Sequence, residues 1–304
     1  MPINIAAIAD SLKPGVYEMA GNYPRFETQW SKVFDTRKSD MAFERKVQNR
    51  LLPLPQFMGE GQAVFTDNLA GQRKVYNAES FTVGLAYAWT RRALEDNLYK
   101  SEISPTTMNM MEQFKQFKEI VSFNILNNAT VYDATIGGDG QPLCSTAHPV
   151  DGGTFANRPT VDADLNEASL LNAMLAIPQQ FVDEANTRIN IEAEMLIVPL
   201  SLWPVAQRLV SADLRPGTSN NDPNVIGRVA GGLKKGILAS PWLSSNFAWF
   251  LKTNRKGLVM LERRGFEMDM HVDFLTDNLL VKGTERYTPT YNDERAIYAS
   301  LPTS

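Results

Sequence analysis

The chain has 304 residues, of which 43% are hydrophobic, 10% aromatic and 21% charged, a composition that supports a sizeable core and excludes the disordered and membrane-embedded classes. A formal charge of -4 excludes the chain-wide basic surface of a dedicated nucleic-acid binder. The single cysteine, Cys144, excludes an internal disulfide and a multi-cysteine metal site, and fits folding in a reducing compartment.

Residues 1–10 lack the basic region that opens a secretory leader, and Asp10 ends their apolar stretch, so no export signal is expected. Residues 1–50 read as an extended arm with a short helix, because Lys13-Pro14-Gly15 and Tyr23-Pro24 bring turns and 35–50 shows charge without periodicity. Between 51 and 81, strand-like runs at 62–66 and 72–81 flank a turn at 67–71, the pattern of a hairpin. An isolated hairpin is marginal in water, so one that projects from the body needs a neighbouring subunit to lie on.

Ser104-Pro105 resembles a cap followed by proline at the first helical position, and Met110, Phe114, Phe117, Val121 and Ile125 recur at spacings of four and three. One long amphipathic helix over 105–128 is expected, roughly 36 Å long and suited to a structural spine. A methionine and phenylalanine stripe of this kind is core packing in preference to a cofactor box. Residues 137–142 and 152–159 read as a long surface excursion. Asp164-Leu165-Asn166-Glu167 has capping-box spacing and opens a helix through Leu171 and Leu175, kinked at Pro178. A buried strand at 194–198, Ser201 as a cap and a helix over 202–210 then make an α/β unit.

The apolar runs at 237–243 and 247–251 are too short for the roughly 20 residues of a membrane span. Phe266, Met268, Met270, Val272 and Phe274 alternate with Glu267, Asp269, His271 and Asp273, which predicts a strand with one core face and one polar face. Closing strands are expected at 279–287 and 296–299.

Three clusters carry chemical residue types. Cys144-Ser145-Thr146-Ala147-His148 places a thiol near a base, but in an expected loop with no protease signature around it. The carboxylates of 267–273 stand about 7 Å apart along a strand, too far to close on one cation, so a solvated or intersubunit polar face is expected. Ala230-Gly231-Gly232-Leu233-Lys234-Lys235-Gly236 lacks the order of a phosphate loop. The pairs Arg91-Arg92, Lys234-Lys235 and Arg263-Arg264 are scattered, each a solvated face or half of an intersubunit ion pair. Catalytic, cofactor-binding and metal-binding residues are therefore expected to be none.

Pro142-Leu143-Cys144-Ser145-Thr146-Ala147-His148-Pro149 resembles a segment of Mu-like and related tailed-phage major capsid proteins. So do Leu258-Val259-Met260-Leu261-Glu262-Arg263-Arg264-Gly265-Phe266 and the run 277–287, and the likeness extends from Asn22 to the C-terminus. Relatives often carry an aromatic residue where this chain has Cys144, a departure without consequence for a shell protein. The resemblance implies an α+β subunit with the tailed-phage and herpesvirus-type major capsid fold. Its parts would be an N-terminal arm (1–50), an extended β-hairpin loop (51–81), a peripheral domain with the spine helix (82–160), a mainly axial α/β domain (161–250) and strands completing the peripheral domain (251–304).

The function so implied is that of a major head protein, assembling through pentamers and hexamers into an icosahedral shell that encloses double-stranded DNA. Its partners would be copies of itself and the portal, scaffold or decoration proteins of the same phage, with only non-specific DNA contact, no membrane and no cofactor. The implied location is the virion capsid, made and assembled in the bacterial host cytoplasm. The rival readings are another phage head or tail structural protein, or a cysteine hydrolase using Cys144 and His148.

Overall fold

The computed structural model describes residues 27–41, 43–49, 57–63, 72–95, 103–136, 139–150, 153–183, 186–212 and 232–303, with 55, 224 and 226 beside them. Two four-stranded sheets and one long helix organise these residues. The first sheet has the order β1-β10-β11-β4, where β1 is Asp35–Lys38, β4 Phe81–Trp89, β10 Leu258–Val272 and β11 Leu279–Tyr291. Strand β1 runs parallel to β10, and the other pairs are antiparallel.

The spine helix, Ile103–Asn127, covers one face of this sheet. Its Met110, Met111 and Phe114 pack on Met268, Met270, Leu279 and Val281, so one face of the β10–β11 ribbon is core while Glu267, Asp269 and His271 stay outside, as the alternation predicts. Phe274 departs from that pattern because β10 ends at Val272 and Phe274 lies in the exposed turn. The spine's apolar stripe also differs. Phe117 points to solvent at 44% exposure, while Lys118, Glu119, Ser122 and Phe123 are buried, a rotation that only the position of the sheet decides.

The second sheet has the order β12-β9-β7-β8, with β7 at Ala193–Pro199, β8 at Ile237–Ser240, β9 at Trp249–Thr253 and β12 at Ile297–Ser300. Strand β7 is buried on both faces, Met195 and Ile197 toward the core shared with the spine, Leu196 and Val198 toward a second core. A continuous apolar run is the expected signature of such a strand. Helix Glu167–Gln180 covers the second core with Leu170, Ala173 and Ile177. Its cap is Asn166 with Ser169, which exchange hydrogen bonds at 2.8 and 3.0 Å, two residues beyond the expected Asp164-to-Glu167 box. Leu175 is exposed, and Pro178 sits in the last turn, where it cannot donate to the carbonyl of Met174 and few helical residues follow it.

A 3-10 turn, Leu200–Leu202, precedes helix Trp203–Ser211. Ser201 is no cap there; its hydroxyl donates to the Asn246 carbonyl at 2.7 Å. Because β12 pairs with β9, residues 297–300 complete the second sheet, whereas 251–304 were expected to complete the first. The excursion after the spine contains a short hairpin, β5 (His148–Val150) with β6 (Gly153–Phe155).

The extended hairpin is wider than its sequence suggests. Strand β3, Gln72–Glu79, pairs with β2, Phe43–Asn49, and not with 62–66; residues 62 and 63 carry no strand, and 64–71 lie outside the described residues. The short helix of the arm is Trp30–Val33. The spine begins at Ile103, so Ser104 lies inside the helix and is not its cap; residues 1–26 lie outside what is described.

Candidate assembly surfaces

The arm is tied to the body at the start of its short helix as well as through β1. Glu119, on the spine, accepts hydrogen bonds from the backbone N–H groups of Gln29 at 2.5 Å and Trp30 at 2.9 Å, at the start of helix Trp30–Val33, where N–H groups have no partner within the helix. Burial raises the Glu119 carboxyl above its ordinary value, and the two N–H groups oppose that shift. The adjacent Lys118 reaches Glu285 Oε1 at 2.6 Å and Glu262 Oε1 at 2.7 Å, with its ammonium 4.9 Å from the Trp30 ring and 4.7 Å from the Tyr287 ring. Burial, then the charge of Lys118, pulls the Lys115 ammonium below its ordinary range. One buried turn of helix thus joins arm, spine, β10 and β11. The sequence hid it because charged residues in an amphipathic helix ordinarily face water.

The β2–β3 hairpin is a two-stranded sheet of its own. Among its described side chains, Ala78 at the base is buried, against Val259 and Leu261, while Phe57 and Met58 in the connection between its strands are exposed. Beside it, β4 forms an edge of the first sheet. A cavity of about 470 Å³ opens between β4 and the spine, lined by Phe81, Val83, Leu85, Phe114 and Phe117. Phe81, Leu85 and Phe117 remain exposed there.

The structure gives Cys144 the surroundings of a buried thiol and engages His148 in a hydrogen-bond network. The Cys144 side chain is buried, and burial pushes its thiol up to about 12, the reverse of what a thiolate nucleophile needs. Both nitrogens of His148 are engaged, Nδ1 with Asp139 Oδ2 at 2.9 Å and Nε2 with Asn157 Oδ1 at 3.0 Å, and its ring stacks on Phe155. Asn157 also donates to the Leu143 and Glu294 carbonyls at 2.7 and 3.0 Å. This polar knot ties the excursion at 139–157 to the start of β12, and it gives the segment that carries the family resemblance a structural task.

Each remaining basic pair has at least one member with a partner within the subunit. Lys234 pairs with Glu192 at 2.8 Å and Lys235 with Glu194 at 2.5 Å; residues 230 and 231 of the glycine-rich stretch lie outside the described residues. Arg91 pairs with Asp277 at 2.8 Å and Arg264 with Glu267 at 3.3 Å. Among the described residues, no group of three or more His, Cys, Asp or Glu is placed to hold a metal, and no helix is long and apolar enough to cross a membrane.

A family model described as phage capsid protein matches residues 77–300. No curated protein matches the chain. Among solved structures, the virus-like particle from Pyrococcus furiosus is similar at 12% identity and TM-score 0.53, over 96% of this chain and 98% of that one. A solved structure from Microbacterium phage Oxtober96 is similar at 10% identity and TM-score 0.54, over 91% of each chain. The procapsid subunit of bacteriophage JBD30 is similar at 14% identity and TM-score 0.53, over 98% of this chain and 76% of that one. At these identities the likeness shows the fold, an α+β capsid fold.

Proposed function

The chain belongs to the phage capsid protein family, and on that premise we propose that it is the major head subunit of a tailed phage, assembling through pentamers and hexamers into an icosahedral shell around double-stranded DNA. The observation that carries the reading is the β2–β3 hairpin, which pairs as a two-stranded sheet of its own. An isolated two-stranded sheet is marginal in water, so its stability is linked to a partner surface. In a shell that surface belongs to the next copy, and assembly stabilises the fold by mass action.

In this reading 1–41 is the arm, held at Gln29 and Trp30, and 43–79 is the extended loop. The spine with the β1-β10-β11-β4 sheet is the peripheral domain. The β12-β9-β7-β8 sheet with its two helices is the axial domain, which gathers around five-fold and six-fold vertices. The subunit is a structural protein of the virion capsid without a catalytic or cofactor role, assembled in the bacterial host cytoplasm. It meets portal, scaffold or decoration proteins of its phage. A net charge of -4 supports only non-specific contact with DNA, which must later leave. Light scattering on the protein, alone and co-expressed with its neighbouring head genes, tests the reading: rings or shells support it, and a monomer or dimer under every condition contradicts it.

A further inference from the structure

The turn joining β10 to β11 presents two apolar side chains to water. Phe274 is 93% exposed and Leu275 is 88% exposed. The turn that carries them is ordered by its own hydrogen bonds. Asp273 N donates to the Asn278 carbonyl at 2.9 Å, Asp277 N to the Asp273 carbonyl at 2.9 Å, and the Thr276 hydroxyl to Asp273 Oδ2 at 2.5 Å. Asp277, in the left-handed region at φ 53°, is held from the side by Arg91 at 2.8 Å. A rigid knob of this kind has already lost the conformational freedom that docking would otherwise remove.

The same chain carries a matching concavity, the apolar groove of about 470 Å³ at Phe81, Leu85 and Phe117. The knob cannot reach its own groove. Register pairs Leu279 with Trp89 and Tyr287 with Phe81, so the knob adjoins one end of β4 and the groove the other, roughly 20 Å away at the rise of a strand.

We infer that the Phe274 and Leu275 knob of one subunit seats in the Phe81, Leu85 and Phe117 groove of a second copy of this chain. Knob and groove are different patches, so the contact is head-to-tail, the type that closes into rings when the rotation between copies permits. The inference rests on the shell reading, which supplies the second copy, and it adds a residue-level contact to it.

The test is a pair of engineered cysteines, Phe274→Cys with Leu85→Cys, followed by oxidation of assembled particles and non-reducing electrophoresis. The expected result is a ladder of linked subunits for the double variant and monomers for each single one, because Cys144 is buried. Phe274→Asp, on a side chain that its own subunit does not bury, is expected to leave the isolated subunit folded and to lower particle yield by about ten-fold, as loss of an anchoring contact does. Particles without a ladder, a dimer band from Phe274→Cys alone, or native yield from Phe274→Asp would each overturn the inference while leaving the shell reading intact. Absence of particles from the native chain with its head genes would instead overturn the shell reading.

Discussion

Lys118 Nζ lies 2.6 Å from Glu285 Oε1 with both side chains almost wholly buried, 3% and 2% exposed. A buried pair adds little net stability when intact, because desolvation opposes attraction, yet removing one member leaves an unpaired charge in the core. Lys118→Ala is therefore expected to destabilise the subunit by about 3 kcal/mol, and Lys118→Met with Glu285→Leu by distinctly less. Chemical denaturation of the three proteins measures this, and equal losses for single and double variants would contradict it.

Glu119 holds the arm by two backbone N–H groups. Glu119→Ala is expected to cost about 1–2 kcal/mol, the scale of a lost helix cap, with the loss concentrated at the arm. Hydrogen exchange at 27–34 should rise while exchange in the spine stays slow. Uniformly faster exchange in both places would show that Glu119 supports the whole core.

Two glycines sit where a side chain does not fit. A Cβ on Gly257 would meet the Asp293 carbonyl oxygen at 2.2 Å, and one on Gly283 would meet the Phe114 ring at 2.9 Å. The first clash is with backbone and the second with a ring in a packed cluster. Gly257→Ala is expected to cost several kcal/mol and Gly283→Ala about 1–3 kcal/mol, the scale of overpacking a core. Thermal unfolding midpoints should fall in that order.

Asp162 binds Arg158 and accepts from the Leu301 N–H at 3.0 Å. Burial works to raise its carboxyl, but the guanidinium and the N–H outweigh it and hold the carboxyl below its ordinary value. A carboxylate depressed in the folded state contributes stability above its unfolded pKa of about 3.9 and loses it as pH falls through the folded value. Asp162→Asn should thus flatten the decline of the unfolding midpoint below about pH 4. Parallel acid limbs for the native and variant proteins would contradict this.

The long helix, the 194–198 strand and the alternation at 266–272 were legible because each is a local pattern of apolar spacing. The partner of 72–79 was not, since 43–49 is charged and lies on the far side of a long excursion. Nor was the sheet to which 297–300 belongs, because a four-residue apolar strand fits either one. Among the candidate surfaces, the exposure of Phe117 and the burial of Lys118 and Glu119 escaped the sequence, because helical periodicity gives a stripe but not which neighbour it meets. The resemblance at 142–149 and 258–287 agrees with the family match over 77–300, and the polar knot of His148, Asp139 and Asn157 is what the first of those segments builds.

The most direct measurement is negative-stain electron microscopy of the protein co-expressed with its neighbouring head genes. Closed icosahedral shells, with pentamers and hexamers visible in class averages, are the expected result. Open tubes, or small monodisperse particles in every preparation, would contradict the assignment as the major shell subunit.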